Sequence, residues 1–405
     1  MTARQAPVRV PRVGEDDLPL YVVWEVTLRC DHACAHCGSR AVRPRPDELT
    51  TTELLEVADQ LAALGTREVT LIGGEAYLRP DLPQLIRHLS ASGIVVTMQT
   101  GGRGLTEARA DTLVEAGLRG VGLSIDGPEA VHDLLRDSPG SYRAALRALA
   151  VARKAGLSVA SNMQVNRLTW HFLREHYEVM QAHEVEAWRL QVTVPMGRAA
   201  DQPQWLLEPW RVLEVIDTLA ELQRDALERA EAAGHPPHRA MSVQAGNNLG
   251  YFGPHEGILR ARPGQPPTHY RGCVSGRFTL GLESDGTVKG CPSLPTASYT
   301  GGNVRELSIA RIWEESPELN FVQQRDRSEL WGFCAGCYYA DLCMAGCSWT
   351  AHCTLGRRGN QPYCYHRAHT LKRRGLRERL EPVEVAEGLP FDHGRFELVE
   401  EPWAP

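Results

Sequence analysis

YVVWEVTLRCDHACAHC (Tyr21–Cys37) joins a β-rich apolar run directly to three cysteines spaced C-x3-C-x2-C. Three thiolates on one short loop can converge on a single metal centre. A structural zinc site takes four ligands, and His32 or His36 offers the fourth, so zinc is one reading. A cubane iron–sulfur cluster held by Cys30, Cys34 and Cys37, with one iron left open, is the other. The setting of the loop bears on the choice. From Tyr21 to about Val194 short β-rich runs alternate with helical stretches. Strands are predicted at Tyr21–Leu28, Glu68–Ile72, Ile94–Gln99, Gly120–Ile125, Ser158–Val165 and Ala187–Val194. Helices are predicted at Glu53–Leu64, Asp81–Leu89, Glu107–Ala116, Tyr142–Ala155 and Phe172–Ala182. This alternation predicts an α/β fold of βαβ units on a parallel sheet. Periodicity leaves open whether six such units close part of a barrel or form an open doubly wound sheet. In both, ligands sit beyond the carboxyl ends of the strands, where the cysteine loop falls.

The 405 residues suffice for two or three packed domains. Lys and Arg number 44 against 50 Asp and Glu, a formal charge of −6, which argues against a nucleic-acid partner. No apolar run approaches the ~20 residues of a membrane span. Met1–Asp17 lacks the apolar core of a signal peptide. The expectation is a cytoplasmic chain that contacts neither nucleic acid nor membrane. Clustered cysteines in that compartment read as metal ligands or redox groups rather than disulfides. Of the eleven, three lie in the first loop. Cys273, Cys291, Cys334, Cys337, Cys343, Cys347, Cys353 and Cys364 lie in the last third, with none between the two groups.

The rest of the chain supplies the frame. Glu208–Ala233 reads as a long helix. Residues 234–272, rich in Gly, Pro and His, read as a linker, within which Gly246–Glu256 (with Asn247, Asn248, Tyr251 and Phe252) is a candidate substrate wall. Two β-like runs flank Ser284–Gly286 as a hairpin. The tail from about Arg373 is expected to be a peripheral helix or a flexible end. The expected organisation is an N-terminal extension (1–20), an α/β body (21–233), the linker (234–272), a cysteine-rich domain (273–370) and a tail (371–405). Seven or eight cysteines exceed one zinc site, and two four-ligand sites fit the count better.

The C-x3-C-x2-C loop at the end of the first strand resembles the signature of the radical S-adenosylmethionine (radical SAM) enzymes. Three further stretches are similar to that family: Gly73-Gly74-Glu75 after the second strand, Ser124–Gly127 with Arg136 after the fourth, and Val194–Arg198 after the sixth. The resemblance implies a partial (β/α)6 barrel in which Cys30, Cys34 and Cys37 hold a 4Fe–4S cluster and S-adenosylmethionine occupies the open iron. It places His36 near the adenine, Gly73, Gly74 and Glu75 at the amino group, and Ser124 and Arg136 at the ribose and carboxylate. Asn166, Gln191 and Val194 become further cofactor contacts. In that family one electron from the cluster releases a 5′-deoxyadenosyl radical, which abstracts hydrogen from the substrate.

The second cysteine group resembles the SPASM extension of radical SAM enzymes, which carries two auxiliary iron–sulfur clusters. By that resemblance Cys273, Cys291 and Cys347 belong to the first, and Cys334, Cys337, Cys343 and Cys364 to the second. Relatives with a fully ligated first cluster have another cysteine soon after the position of Cys273, but Val274–Leu280 contains none. The fourth ligand there is then open or not a cysteine, and Cys353 is a spare thiol: a ligand, a hydrogen or proton donor, or a small buried residue. SPASM enzymes resemble one another in acting on peptides, many of them ribosomal. The expected product is a crosslinked, oxidised or epimerised peptide. An expected partner is a flavodoxin or ferredoxin-type electron donor. Only about twenty residues precede the first strand, so either a separate leader-recognition protein binds the leader, or recognition differs, or the substrate is not a ribosomal peptide. Some relatives act on small molecules such as tetrapyrroles, which is the alternative substrate class. A zinc-stabilised binding or regulatory protein is the alternative outside enzymes.

Overall fold

A computed structural model describes residues 17–270 and 272–403, so most of the expected N-terminal extension lies outside the described residues. The chain runs β1 (Tyr21–Glu25), α1 (Thr51–Ala63), β2 (Glu68–Ile72), α2 (Leu82–Ala91), β3 (Val95–Thr100), α3 (Glu107–Ala116), β4 (Leu118–Ser124), α4 (Glu129–Arg136), α5 (Ser141–Lys154), β5 (Ser158–Val165), α6 (Leu173–Ala182), β6 (Ala187–Val192), α7 (Val212–Ala232) and β7 (Ser242–Ala245). It continues through α8 (Glu256–Arg260), β8 (Thr279–Leu282), β9 (Thr287–Lys289), α9 (Thr296–Tyr299), β10 (Thr300–Asn303), α10 (Ile309–Glu315), α11 (Pro317–Gln324), α12 (Ala340–Cys343), α13 (Ser348–Leu355), α14 (Tyr365–Arg373), β11 (Leu376–Glu384) and β12 (Arg395–Pro402). Local chemistry fixes several boundaries. Thr50 and Glu53 form a reciprocal capping box that starts α1. Gly117, at φ +112°, ends α3 in the left-handed conformation.

One ten-stranded sheet runs β10-β9-β8-β1-β2-β3-β4-β5-β6-β7. Strands β1 to β7 are parallel in sequence order, and β8 lies parallel to β1 on its other side. No pairing joins β7 to β8, so the barrel is partial, as expected. It nevertheless reaches beyond six strands. The stretch 234–272, read as a linker, contributes β7, and the cysteine-rich segment contributes β8. The reason is that Ser-Val-Gln-Ala is too short for its alternation to stand out, while β8 completes its pairing only with the distant β1. The tail also departs from expectation: residues 376–402 form an antiparallel hairpin, not a helix or a loose end. Its strands carry charges on many positions, which hid the alternation.

Outward-facing Val96, Met98, Val159, Met163, Trp188, Leu190 and Val243 pack against the helices in one core. The inward face is polar. Tyr21 Oη and Thr70 Oγ1 are 3.0 Å apart, and Thr70 and Thr97 hydroxyls 2.8 Å. Asn162 Nδ2 donates to Gln99 Oε1 at 2.5 Å across β4. Gly122 makes this possible: a Cβ there would sit 2.0 Å from Gln99 Oε1. Arg189 donates to Gln244 Oε1 at 3.2 Å. At the β1–β8 seam, buried Glu25 and Glu283 share Arg45, and Glu283 also holds the fully buried Lys289 at 2.6 Å. Burial pushes the Glu25 carboxyl up to about 7 against the pull of Arg45.

The hairpin is anchored by a buried ion pair. Arg367 on α14 donates from Nε and Nη2 to the two oxygens of Glu378, each at 2.6 Å, and from Nη1 to Asn360 Oδ1 at 2.6 Å. Removing one partner of a buried, hydrogen-bonded pair costs about 3–5 kcal/mol. Arg367→Ala is therefore expected to lower the chemical-denaturation midpoint by a matching amount and to raise proteolysis between residues 376 and 402. A midpoint within error of the parent would contradict this role.

Candidate active site and cysteine sets

The loop that follows β1 is clamped from two sides. On one side, Gly74 N–H donates to Thr27 O at 2.7 Å and Glu75 N–H to Arg29 O at 2.8 Å. A Cβ on Gly73 would lie 2.2 Å from Thr27 O, and one on Gly74 2.3 Å from Arg29 O. The paired glycines thus serve the approach of the cysteine loop itself. On the other side, Arg198 reaches Cys34 O from Nε at 2.6 Å and Ala41 O from Nη2 at 3.1 Å, while its own N–H donates to Cys37 O at 3.0 Å. Gly197, at φ +57°, packs so closely that a Cβ would lie 2.3 Å from Gly38 O. Arg40 pairs with Asp201 and with Asp392 from the hairpin loop.

Three acidic or thiol groups face one another inside this frame. Ligand atoms of Cys30, Asp31 and Glu75 all lie within 4.8 Å. Glu75 accepts from Thr100 Oγ1 at 2.5 Å and from Gly101 N–H at 2.6 Å, and burial pushes its carboxyl up to about 8. Burial likewise pushes the Cys30 thiol up to about 12, with Glu75 adding to the effect. A cation or metal placed here would reverse both shifts. Beside them His32 is buried with neither ring nitrogen hydrogen-bonded, its Nε2 3.8 Å from Asp31 Oδ1, and Asp31 Oδ1 and Arg136 Nε are also buried without hydrogen-bond partners among the described residues. Buried polar atoms normally find partners, so these four orphaned atoms mark ground shaped for a polar ligand.

Arg136, expected at a ligand carboxylate, is half-buried and already donates to Asp126 Oδ2 at 2.5 Å; its Nη1 lies 3.7 Å from Cys34 Sγ. Burial opposes the charge of Asp126, but Arg136, His36 and His132 hold its carboxyl well below the ordinary range. His36, expected near an adenine, has Nδ1 3.0 Å from Leu135 O and Nε2 3.6 Å from Asp126, so its ring braces the Asp126–Arg136 pair. Asn166 is fully buried. Its Nδ2 donates to Thr193 Oγ1 at 3.2 Å and its Oδ1 accepts from Leu168 N–H at 2.9 Å, so it shapes the turn after β5. Val194 packs with Met196, Cys353 and Phe391. Gln191 lies on the inward face of β6, and Ser124 is half-buried at the end of β4. Sequence reasoning gave no organising role to Asp126, Arg198 or Asp392, and named His32 only as a possible metal ligand. Asp126 stood within a quoted motif, but Asp392 joins from 352 residues beyond Arg40 and left no local signal.

The later cysteines act on one another in groups. Burial pushes the Cys291 thiol up to about 12, with Cys273 and Cys347 acting on it. Burial raises Cys343 further, with Cys364, Cys334 and Cys337 acting on it. Cys353 is fully buried against Val194, Met196 and Phe391. The expected substrate wall is instead the seam with this lobe. Thr350 Oγ1 donates to Asn248 O at 2.7 Å, Gly250 N–H to Tyr363 O at 2.7 Å, and Tyr365 N–H to Tyr251 O at 3.0 Å, while Phe252 is buried.

Residues 24–178 match the radical SAM superfamily, and residues 273–338 match SPASM, an iron–sulfur cluster-binding domain. The chain is therefore a radical SAM enzyme with a C-terminal SPASM domain, and its cofactors are S-adenosylmethionine and iron–sulfur clusters. It is 29% identical over 360 residues to the AdoMet-dependent heme synthase of Methanosarcina barkeri, covering 88% of this chain and 99% of that protein. It is 27% identical over 346 residues to the mycofactocin maturase MftC of Mycolicibacterium smegmatis, covering 84% and 81%. Streptococcus suis SuiB bound to its precursor peptide SuiA shares the fold, with TM-score 0.60, 14% identity, and coverage of 82% of this chain and 72% of that one. No helix among the described residues is long and apolar enough to cross a membrane.

Gly197→Ala drives a methyl group into the cysteine-loop backbone. The expected outcome is a folded protein that retains the SPASM irons but loses about four irons per chain, the content of one cubane. Iron and sulfide assays on anaerobically reconstituted protein measure this directly, and full iron retention would refute the clamp.

Proposed function

We propose that this chain abstracts a hydrogen atom from a peptide and leaves that peptide crosslinked, oxidised or epimerised. In this reading Cys30, Cys34 and Cys37 hold the 4Fe–4S cluster, Glu75 takes the ammonium of S-adenosylmethionine, and Arg136 Nε takes its carboxylate. Cys273, Cys291 and Cys347 hold one auxiliary cluster, and Cys334, Cys337, Cys343 and Cys364 the other. Bound together, cluster and cofactor supply a 5′-deoxyadenosyl radical, an abstractor strong enough for an unactivated C–H bond. The protein excludes water, orients the ligand and presents the substrate.

The observation that carries the peptide reading is the inner wall. The inward faces of β3 to β7 carry Gln99, Asn162, Gln164, Gln191 and Gln244 around a single guanidinium, Arg189. Side-chain amides both donate and accept, which suits the backbone of a peptide. The heme-synthase relatives favour a second reading, a propionate-bearing tetrapyrrole. Several carboxylates would call for several cations, and this wall offers one.

The test is anaerobic turnover after reduction, with S-adenosylmethionine and either a short peptide encoded beside this gene or an iron tetrapyrrole with propionate side chains. The expected result is 5′-deoxyadenosine together with a peptide that loses two hydrogens or takes up solvent deuterium. Cys34→Ser should lower 5′-deoxyadenosine formation to background. Turnover of the tetrapyrrole with an inert peptide would overturn the peptide reading.

A further inference from the structure

A trough of about 670 Å³ lies between the C-terminal hairpin and the SPASM lobe. Its floor is one face of α14, through Leu371 and Arg374, and one wall is the aromatic pair Trp331 and Phe333. The opposite wall is β12. Arg395, Phe396, Glu397 and Leu398 line the trough consecutively, so the strand turns an edge to it and not a face. That edge is open. β12 pairs with β11 on one side, and from Arg395 to Pro402 its other side has no backbone partner among the described residues. Open edges of short sheets are templates for an added strand.

Charge narrows the occupant. Arg367 is neutralised by Glu378, and Arg395 by Glu384 and Glu397. Arg357, stacked on Trp331 at 4.1 Å, and the exposed Arg374 make no ion pair with a described residue. One lining carboxylate, Glu400, is likewise unpaired, so the trough keeps a cationic surplus. Direction narrows it further. β12 is roughly 26 Å long, and the residues before it rest on the first cysteine loop: Phe391 N–H donates to Gly38 O at 3.1 Å, and Gly197 N–H to Asp392 O at 2.8 Å. An added strand would therefore run toward the radical site, past the exposed Leu389 and Val385.

We propose that this trough binds an extended segment of the peptide substrate, rich in acidic and apolar residues, as a third strand on the β12 edge. The inference rests on the peptide reading above and adds where the non-reacting part of that peptide is held. Acidic side chains meet Arg357 and Arg374, and apolar ones meet Trp331 and Phe333.

The test uses the full chain, reconstituted with its clusters, and two labelled synthetic peptides: one rich in Glu, Leu and Phe, the other with Lys in place of Glu. Anisotropy should show binding of the acidic probe alone, weakened about tenfold or more in R357E/R374E. Amide exchange between residues 395 and 402 should slow when the acidic probe binds. Both arginines are at the surface, and iron content and melting temperature of the double variant establish that it folds. No binding, equal binding of the lysine peptide, or an unchanged affinity in R357E/R374E would each overturn the docking site. Its failure is separable from that of the peptide reading. Peptide turnover without protection at β12 removes the trough alone, whereas probe binding with hydrogen abstraction only from a tetrapyrrole removes the substrate reading and leaves the trough as a groove for a peptide that is not the substrate.

Discussion

Three thiols converge only where the backbone that bears them is held still. Here the Gly73–Gly74 and Gly197–Arg198 backbones press on Cys30–Gly38 from two strand ends, at distances no side chain would tolerate. The restraint is one of shape before it is one of bonding. Arg198 adds charge-assisted hydrogen bonds to carbonyls of that loop, and Arg40, just past it, to the carboxylates of Asp201 and Asp392, which are stronger than neutral ones. Glu75, His32 and Arg136 lie against this clamped loop.

The SPASM lobe is tied to the barrel by more than a covalent connection. β8 extends the barrel sheet beside β1, and the Glu25–Arg45–Glu283–Lys289 cluster is buried at their junction. Such clusters leave a heavy penalty if one member is lost, so the relative placement of the first cysteine loop and Cys291, two residues beyond Lys289, is set firmly. The two later cysteine sets interleave in sequence, so neither can assemble from a contiguous loop.

Much of this was legible in the residues. The alternation of β-rich and helical runs located β1 to β6 to within a few residues, because buried parallel strands and amphipathic helices leave strong periods. The cysteine spacings drew attention to the loop after β1 and to the segment from Cys273 to Cys364. What escaped was long-range or charged. β7 is four residues long, β8 depends on a partner more than 250 positions away, and β11 and β12 alternate charges with few apolar residues. Individual cofactor contacts were the least legible part. Arg136 and Asn166 sit where expected, yet Asn166 is satisfied by Thr193 and Leu168, and Arg136 by Asp126 on one side of its guanidinium. Spacing locates a residue on a strand end but does not say which of its atoms are already spoken for.

The bond between Arg40 and Asp392 has a temporal meaning. A ribosome extrudes the barrel strands long before the hairpin, and domains tend to fold as they emerge. The first cysteine loop is therefore exposed early, while one of its braces emerges 352 residues after Arg40. The loop can form before the hairpin is made, but its final rigidity cannot.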